Sequence, residues 1–534
     1  MSQPKKQSFL HGAALLAAAT IIVKVIGALY KLPLNNIIGS QGFGYFNTAY
    51  DIYTVLLMIS TAGLPVALSR MISQASSAGN YRQLRRTYRT AQAIFLTLGI
   101  AGGTLMTVFA KPLAVWLNSP DSWAAIACLG PSALLICLMS AFRGFFQGQS
   151  DMIPTSISQV LEAGCKLVVG LVAAWVIYDQ TGSIPLAAGG AILGVTSGCV
   201  LSSLFLYGRF RGAYRALPDE GGKVDSYTTT AKNLLAIAVP ITIGSAGLQM
   251  LNMVEIRVYM GRLLELGYTQ SQADSMKGIY NMSQTIFNLP CSFVAPLTIS
   301  SLPVITALLT QGKHRDVRNT EESAYRITAL ISAPCSAGLF VLGEPVMALL
   351  GGYQGEDLVL AGRLMSLIGV TVLIYSLVML TNSILQAHGH ATAPAVHMFL
   401  SGLLKLLIIH ILTGNPDLGI LGVPVAAIVC YTSILLMNLF ALRRMVQDPP
   451  RLLKNLLRPG IAAVVMGVAV WAGKLLLGGF FGYDSTLGKL ILCAGPILVG
   501  VIVYLVLAVV MRSITRADCE LLPKGKKIAD FLHL

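Results

Sequence analysis

The sequence predicts an all-α integral membrane protein with about fourteen transmembrane helices. Two parallel six-helix lobes are expected to surround a central cavity, and two further helices to follow at the C-terminus. Three observations lead to this prediction: a low proportion of charged residues, a series of long apolar runs, and an internal repeat. Only 11% of the 534 residues are charged and 55% are hydrophobic, whereas a soluble domain carries about 25% charged residues. The mean hydropathy is +0.70, so most of the chain is predicted to lie within a lipid bilayer.

Apolar runs of membrane-spanning length occur along the whole chain. A bilayer core about 30 Å thick requires about 20 apolar residues in a helix. The first run contains Lys24 and lacks a clear cleavage site, so it is predicted to be a retained span rather than a signal peptide. The fourteen predicted spans are residues 11–30, 45–69, 91–110, 123–142, 156–178, 186–208, 233–256, 279–305, 327–349, 358–385, 393–413, 418–441, 459–480 and 487–511.

The distribution of basic residues predicts the orientation in the membrane. If both termini are cytoplasmic, the inner loops and termini hold 27 of the 38 Lys and Arg residues, the outer loops hold 7, Lys277 among them, and the spans hold 4. Cytoplasmic loops accumulate Lys and Arg in this way. The protein is therefore predicted to be a multi-pass protein of the cell membrane with both termini in the cytoplasm. This placement explains the net charge of +15 without a nucleic-acid partner.

The two halves of the chain resemble each other. The segment "FFQGQSDMIPTSISQVLEAGCKL" (145–167) aligns with "ILQAHGHATAPAVHMFLSGLLKL" (384–406), so that Lys166 corresponds to Lys405. Similarly, "GYFNTAYDIYTVL" (44–56) aligns with "GIYNMSQTIFNLP" (278–290). Repeats with an even number of spans have the same orientation in the membrane. The predicted domains are an N-lobe of helices 1–6 (1–225), a C-lobe of helices 7–12 (226–450), and helices 13–14 with a cytoplasmic tail (451–534).

Charged residues within the spans are the candidate binding residues, because a charge in the membrane is costly unless it faces water or a partner. Lys166 and Lys405 occupy equivalent positions in the two repeats, but Glu162 aligns with the neutral Ser401. The two lysines are therefore expected to form a cationic site, with Glu162 acting through its neighbour Lys166. The full set of candidate substrate-binding residues, within spans or at their ends, is Lys24, Lys31, Asp51, Arg143, Glu162, Lys166 and Lys405.

Structural explanations for these charges remain open. Glu162 and Lys166 are four residues apart and could neutralise each other on one helix face. Asp51 could pair with Lys24 or bind a cation. The side chain of Lys31 could reach the membrane interface.

The sequence contains no signature of an enzyme. There is no phosphate-binding loop for a nucleotide, no nucleophile elbow, and no zinc-protease motif. His388 and His390 lie in an "HGH" loop without further clustered ligands, so no metal or other cofactor is predicted.

Three segments resemble a known family: "SFLHGAALLAAATIIVKVIGALYKLPLNNIIG" at the N-terminus, "GLPVALSRMIS" (63–73) and "RGFFQGQSDMIPTSISQVLEAGCKL" (143–167). They resemble the stage V sporulation protein B group of polysaccharide transporters. That group belongs to the multidrug/oligosaccharidyl-lipid/polysaccharide superfamily and is similar to lipid II flippases. The resemblance implies that spans 13 and 14 help to form a groove for a lipid tail. Lys24 in "VKVIG" matches a basic position of the lipid II flippases. A second basic position of the flippases falls at Tyr30, beside Lys31. The arginine that the flippases carry in span 8 has no counterpart in "YNMSQTIFNLP".

The function implied by this resemblance is that of a flippase. It would move an undecaprenyl-pyrophosphate-linked saccharide, such as a peptidoglycan or polysaccharide precursor, from the inner to the outer leaflet by alternating access. Lys24, Lys166 and Lys405 are expected to contact the pyrophosphate, because lysine binds phosphate as a point charge. The expected partners are this lipid-linked saccharide and membrane lipids, with a coupling cation as a further candidate. The alternatives are a cation-coupled multidrug exporter of the same superfamily, a membrane-embedded glycan polymerase or ligase, and a scaffold for wall assembly.

Overall fold

The computed structural model describes residues 9–446 and 448–511. The N-terminal residues 1–8 and the predicted cytoplasmic tail from residue 512 lie outside the described residues. Within the described part the chain is helical throughout, with no β-strand. The α-helices are α1 (Phe9–Met58), α2 (Leu64–Ser77), α3 (Tyr81–Val108), α4 (Ala110–Trp116), α5 (Trp123–Gly148), α6 (Ile153–Thr181), α7 (Ile184–Arg215), α8 (Tyr227–Glu265), α9 (Gln270–Thr310), α10 (His314–Val341), α11 (Gly343–Leu350), α12 (Gly355–Ala387), α13 (Thr392–Thr413), α14 (Gly422–Met445), α15 (Leu452–Gly478) and α16 (Thr486–Val510).

The first two predicted spans lie on either side of a break in α1. The helix has 50 residues, which corresponds to about 75 Å at a rise of about 1.5 Å per residue, far more than one crossing requires. Gly39 interrupts it with φ 70° and ψ 177°, a backbone conformation that glycine adopts without steric cost. A π-helical turn, Ile59–Gly63, then joins α1 to α2.

The helices agree with the predicted membrane architecture. Eleven segments of the described chain are long and apolar enough to cross a membrane, and one of them, Ala18–Ser77, is long enough to contain both predicted spans of α1 and α2. The helices α8 and α9 fall outside this set but coincide with predicted spans 7 and 8. The predicted all-α membrane fold is therefore confirmed, and fourteen spans are compatible with it.

The chain forms two compact units, Met1–Gly278 and Ile279–Leu534. In the first unit, α6 packs on α7 and on α1, α5 packs on α3 and α7, and α8 packs on α2. Small residues allow the closest of these contacts, since a Cβ atom at Gly194 of α7 would overlap the backbone of Gly170 of α6. The lobe boundary near residue 225 stays a prediction, because the first unit also includes α8 and the first turns of α9.

In the second unit, α10 packs on α12 and α15, α14 packs on α12 and α13, and α15 packs on α16. Tyr325 and Leu380 are fully buried in the core. Apolar side chains also cover the surface of α15 and α16, where Val464 is 65% exposed and Val510 is 72% exposed. An apolar exterior of this kind is suited to contact with lipid.

Two glycines at matching positions of the repeat meet where α1 crosses the beginning of α9 in the first unit. A Cβ atom at Gly44 would overlap the carbonyl oxygen of Asp274, and a Cβ atom at Gly278 would overlap the carbonyl oxygen of Ser40. Each glycine therefore contacts the residue four positions before the other glycine. The hydroxyl groups of Ser40 and Ser275 are also 2.5 Å apart.

Candidate functional site

A cavity of about 430 Å³ in the first unit contains three of the predicted binding residues. It is lined by residues of α1, α2, α5, α6 and α7, and most of its wall is apolar. Arg143, Glu162 and Lys166 supply its charged groups, so the formal charge of the lining is positive. Polar side chains complete the wall: Thr20, Tyr30, Tyr50, Thr61, Ser140, Gln147, Thr155 and Gln159.

Lys166 on α6 is held by aromatic side chains of α1. Its Nζ atom donates a hydrogen bond of 2.9 Å to the hydroxyl of Tyr50. It also lies 4.4 Å from the ring centroid of Tyr50, 4.9 Å from that of Tyr30 and 5.7 Å from that of Phe46. These distances allow cation–π attraction. Gly170 provides space for the ring of Tyr30, whose hydroxyl donates a hydrogen bond of 2.9 Å to the carbonyl of Ala191.

Glu162 forms an ion pair with Arg143 of the neighbouring helix α5. The Nη2 atom of Arg143 lies 3.1 Å from Oε2 of Glu162, and the two side chains are only 14% and 24% exposed. The Nε atom of Arg143 donates a further hydrogen bond of 3.0 Å to Ser158. This geometry fixes the guanidinium group at the cavity wall. Glu162 thereby neutralises one of the two positive charges of the cavity, that of Arg143.

Glu162 and Lys166 therefore do not form a direct ion pair with each other. Glu162 points to α5 and Lys166 points to α1, although both lie on α6. Spacing along one helix shows which side chains are near neighbours, but partners on adjacent helices compete for the same groups. Among the described residues, no carboxylate lies within ion-pair distance of Lys166. Its direct contacts are a hydroxyl group and aromatic rings, and Glu162 acts on its charge from a longer range.

Asp51 pairs with a lysine that the sequence placed in an outer loop. The Nζ atom of Lys277 at the start of α9 lies 3.3 Å from Oδ2 of Asp51 and donates a hydrogen bond of 2.6 Å to Thr48. The side chain of Lys277 is fully buried. Asp51 therefore pairs with Lys277 rather than with Lys24, which was one of its two alternatives. Lys277 lies in a helix rather than in the predicted outer loop, because α9 starts earlier than predicted and its first turns pack on α1.

The two lysines of the first span have different surroundings. Lys24 is exposed and is not among the residues that line the cavity. Lys31 is partly buried and lies within electrostatic range of Lys166 and Asp51. The structure thus brings Lys31, Asp51 and Lys166 together in the first unit.

Lys405, the repeat equivalent of Lys166, lies on α13 in the second unit. It is partly buried and lies within electrostatic range of Tyr431 on α14. The ring of Tyr431 packs 5.0 Å from that of Tyr375, which in turn lies 5.7 Å from that of Phe287. Aromatic residues therefore accompany the lysine in both repeats.

A second polar cluster of the first unit surrounds Asp274, which precedes the predicted span 279–305. The hydroxyl of Ser119 donates a hydrogen bond of 2.5 Å to Oδ1 of Asp274, and the amide of Gln270 donates one of 3.0 Å to Oδ2. Burial raises the pKa of this carboxyl group to about 6, although both hydrogen bonds and the charge of Lys277 act in the opposite direction.

Sequence reasoning missed Lys277 and the aromatic residues around Lys166. The aligned segments at 44–56 and 278–290 contained a signal for Lys277, since this residue directly precedes the second copy. Tyr50 is adjacent to Asp51, but only the packing of α1 on α6 shows that it contacts Lys166.

His388 of the "HGH" loop has a structural partner. Its Nε2 atom lies 2.8 Å from Oε1 of the buried Glu321. In the part of the chain that the structure describes, no three His, Cys, Asp or Glu side chains are grouped so that they could hold a metal ion.

Comparisons with known proteins agree with this fold. The sequence model of the polysaccharide biosynthesis protein family matches residues 9–309, and that of the MatE family matches residues 278–411. The chain is 23% identical to the lipid II flippase MurJ of Bacillus subtilis (strain 168), over 93% of this chain and 94% of that protein. It is 24% identical to stage V sporulation protein B of the same organism, over 97% of this chain and 98% of that protein.

A solved structure of the lipid II flippase MurJ, in an inward closed conformation, has the same fold. It matches with a TM-score of 0.70 and 14% identity, over 93% of this chain and 98% of the other. These findings confirm the resemblance that the sequence motifs indicated.

Proposed function

Because the chain belongs to the polysaccharide biosynthesis protein family, we propose that it is a flippase for an undecaprenyl-pyrophosphate-linked saccharide. The protein moves this lipid from the inner to the outer leaflet of the cell membrane by alternating access. It acts as a transporter rather than an enzyme, as do its relatives that are named as flippases. The saccharide is a precursor of peptidoglycan or of another polysaccharide.

The observation that carries this proposal is the charge of Lys166 in the cavity. The lysine contacts a hydroxyl group and aromatic rings, which stabilise the ammonium group but do not neutralise it. A buried ammonium group favours the approach of an anion, and a pyrophosphate provides oxygen atoms for such a contact. Lys405 has the equivalent role in the second repeat, Lys24 attracts the pyrophosphate from its exposed position, and Lys31 adds positive charge beside Lys166.

Alternating access requires contacts that hold one end of the pathway closed and then separate. The crossing of α1 and α9 supplies such contacts in the first unit, through Gly44 and Gly278 and through the ion pair of Asp51 and Lys277. We infer from the distribution of Lys and Arg that both termini are cytoplasmic, an orientation in which this crossing lies near the outer surface. We assign Asp51 a role in closing this end rather than in binding the substrate.

The second candidate is a cation-coupled exporter of cationic drugs, which the match to the MatE family favours for residues 278–411. The two candidates differ in the charge of the substrate. A cavity with net positive charge prefers an anion by Coulomb attraction.

Binding to the purified protein separates these candidates. A polyprenyl-pyrophosphate-linked disaccharide and a lipophilic cation, such as ethidium, are titrated separately against the wild type and Lys166→Gln. We expect saturable binding of the pyrophosphate, weakened about tenfold in the variant by loss of a charge-assisted contact. Binding of ethidium but not of the pyrophosphate would replace this proposal with the drug exporter.

A further inference from the structure

Two cavities of the second unit lie along the same three helices, α10, α12 and α15. The first has a volume of about 640 Å³ and extends along α10 to Phe340. The second has a volume of about 450 Å³ and begins at Val341, the next residue of α10. We call the two together the α10–α12–α15 seam.

The first cavity of the seam is an apolar groove. Among the residues whose side chains the structure describes, Ser336 alone contributes a polar side chain to this lining, and its hydroxyl already donates to the carbonyl of Gly369 at 2.9 Å. The groove is open to the membrane side of α15, where Val464 is 65% exposed. It suits a hydrocarbon chain, because the described side chains of its lining are apolar apart from the hydrogen-bonded Ser336.

The second cavity has a cationic lining. Arg363 of α12 and Lys474 of α15 provide two positive charges, and Glu344 of α11 provides one negative charge. The Nζ atom of Lys474 lies 3.1 Å from Oε2 of Glu344. Arg363 is exposed, and the three groups together leave a formal charge of +1. This positive charge attracts a phosphodiester, which carries one negative charge.

The distance between the groove and the cationic cavity matches one leaflet of a bilayer. Val464 in the groove and Lys474 in the cationic cavity are ten residues apart on α15. At a rise of about 1.5 Å per residue this spacing is about 15 Å, half of the roughly 30 Å hydrocarbon core. A phosphate at Lys474 would therefore place an acyl chain beside Val464.

We propose that the α10–α12–α15 seam binds one anionic phospholipid, with its phosphodiester at Arg363 and Lys474 and an acyl chain in the apolar groove. The seam belongs to the second unit and shares no lining residue with the cavity at Lys166. The proposal does not depend on the transport of a lipid-linked saccharide. In the orientation proposed above, the bound phospholipid belongs to the outer leaflet.

The test measures binding of phosphatidylglycerol to the full-length protein purified in a neutral detergent, by native mass spectrometry and by the increase in thermal unfolding midpoint. Phosphatidylcholine, glycerol 3-phosphate and polyprenyl pyrophosphate are the comparison ligands.

Two variants address the two parts of the seam. Arg363→Gln removes an exposed positive charge. Gly460→Leu fills the groove, where a Cβ atom would meet no other atom within 4 Å. Lys489→Gln on α16 is the matched control for loss of a positive charge.

We expect phosphatidylglycerol to bind and to stabilise the protein, and the zwitterionic lipid and glycerol 3-phosphate to do neither. Arg363→Gln weakens binding about fivefold, the amount expected for one basic residue near a lipid surface, and Gly460→Leu weakens it by at least as much. Lys489→Gln binds like the wild type. Equal binding of phosphatidylcholine, or wild-type binding by both seam variants, would overturn the proposal. Tighter binding of polyprenyl pyrophosphate that depends on Arg363 would also overturn it and would assign the seam to the transport pathway.

Discussion

Lys166 is the main residue of the proposed pyrophosphate site because of the partners that surround it. A carboxylate would neutralise the lysine, whereas the Tyr50 hydroxyl and the three aromatic rings stabilise the charge and leave it effective. Sequence comparison of the repeats identified this lysine, because polar positions within apolar spans stand out. It could not identify the rings, because aromatic residues are common in membrane helices and their contacts depend on the packing of α1 against α6.

Replacing Lys166 by Gln is expected to reduce transport of the lipid-linked saccharide about tenfold or more, since a charge-assisted contact of about 1.5–3 kcal/mol is lost. Tyr50→Phe keeps the ring but removes the hydrogen bond, and a reduction of about fivefold is expected. Initial rates in reconstituted vesicles, at equal amounts of protein, provide the measurement. Wild-type rates for Lys166→Gln would remove this residue from the site.

The ion pair of Arg143 and Glu162 makes a different prediction. Glu162→Gln leaves a poorly exposed guanidinium group without its acid, so it is expected to destabilise the protein by about 3 kcal/mol. The double variant Arg143→Gln/Glu162→Gln is expected to be more stable than the sum of the single effects predicts. A double-mutant cycle on thermal unfolding midpoints tests this coupling. Additive effects would show that the pair is not coupled.

The pKa of Asp274 predicts a pH dependence of stability. This pKa is about 6 in the folded protein, compared with 3.8 for an unperturbed carboxyl group. Because burial favours the protonated form, the contribution of Asp274 to stability is greatest below about pH 4 and is lost as the pH rises to about 6. The shift corresponds to a loss of about 3 kcal/mol.

Thermal unfolding of the wild type and of Asp274→Asn at pH 4 and pH 7 measures this loss as the difference between the two proteins. Asp484→Asn, at an exposed carboxylate, is the control and is expected to follow the wild type. An identical pH dependence in the wild type and in Asp274→Asn would contradict the assignment.

At the scale of helices, the sequence was informative where apolar length decides the structure. The predicted spans correspond to helices, and Gly39 separates the first two as a backbone break. The start of α9 was predicted too late, because the polar residues at 270–277 resemble a loop when the buried partners of Lys277 and Asp274 are unknown. Tertiary contacts with α1 and with Ser119 provide the partners that make a helix favourable there.

The crossing of α1 and α9 depends on its two glycines. A methyl group at Gly278 would overlap the carbonyl oxygen of Ser40, so Gly278→Ala is expected to weaken the crossing by about 1–3 kcal/mol. A cysteine is introduced in place of Ser275 and labelled with a membrane-impermeant maleimide. We expect this cysteine to react faster in Gly278→Ala than in the protein that keeps Gly278. Gly164→Ala on α6 is the control, because a Cβ atom there has no neighbour within 4 Å. Equal labelling in both variants would argue against a role of the crossing in closing this end.

At the scale of the whole molecule, the chain contains two related sets of helices, each with a lysine near aromatic residues. Lys166 is accompanied by Tyr30, Phe46 and Tyr50, and Lys405 lies near Tyr431. Under the proposed function, the lysine of each set is a phosphate-binding group.

A leaflet-accessibility assay tests directly whether the protein moves a pyrophosphate-linked lipid across the membrane. Vesicles containing the purified protein and a fluorescent undecaprenyl-pyrophosphate disaccharide are treated with an impermeant quencher, and protein-free vesicles are the control. We expect the wild type to expose the inner-leaflet fraction of the lipid to the quencher with time, and the variant Lys166→Gln/Lys405→Gln to do so at least about tenfold more slowly. Exposure at the same rate with the wild type and without protein would contradict the flippase function, and exposure at the wild-type rate by the double variant would contradict the proposed site.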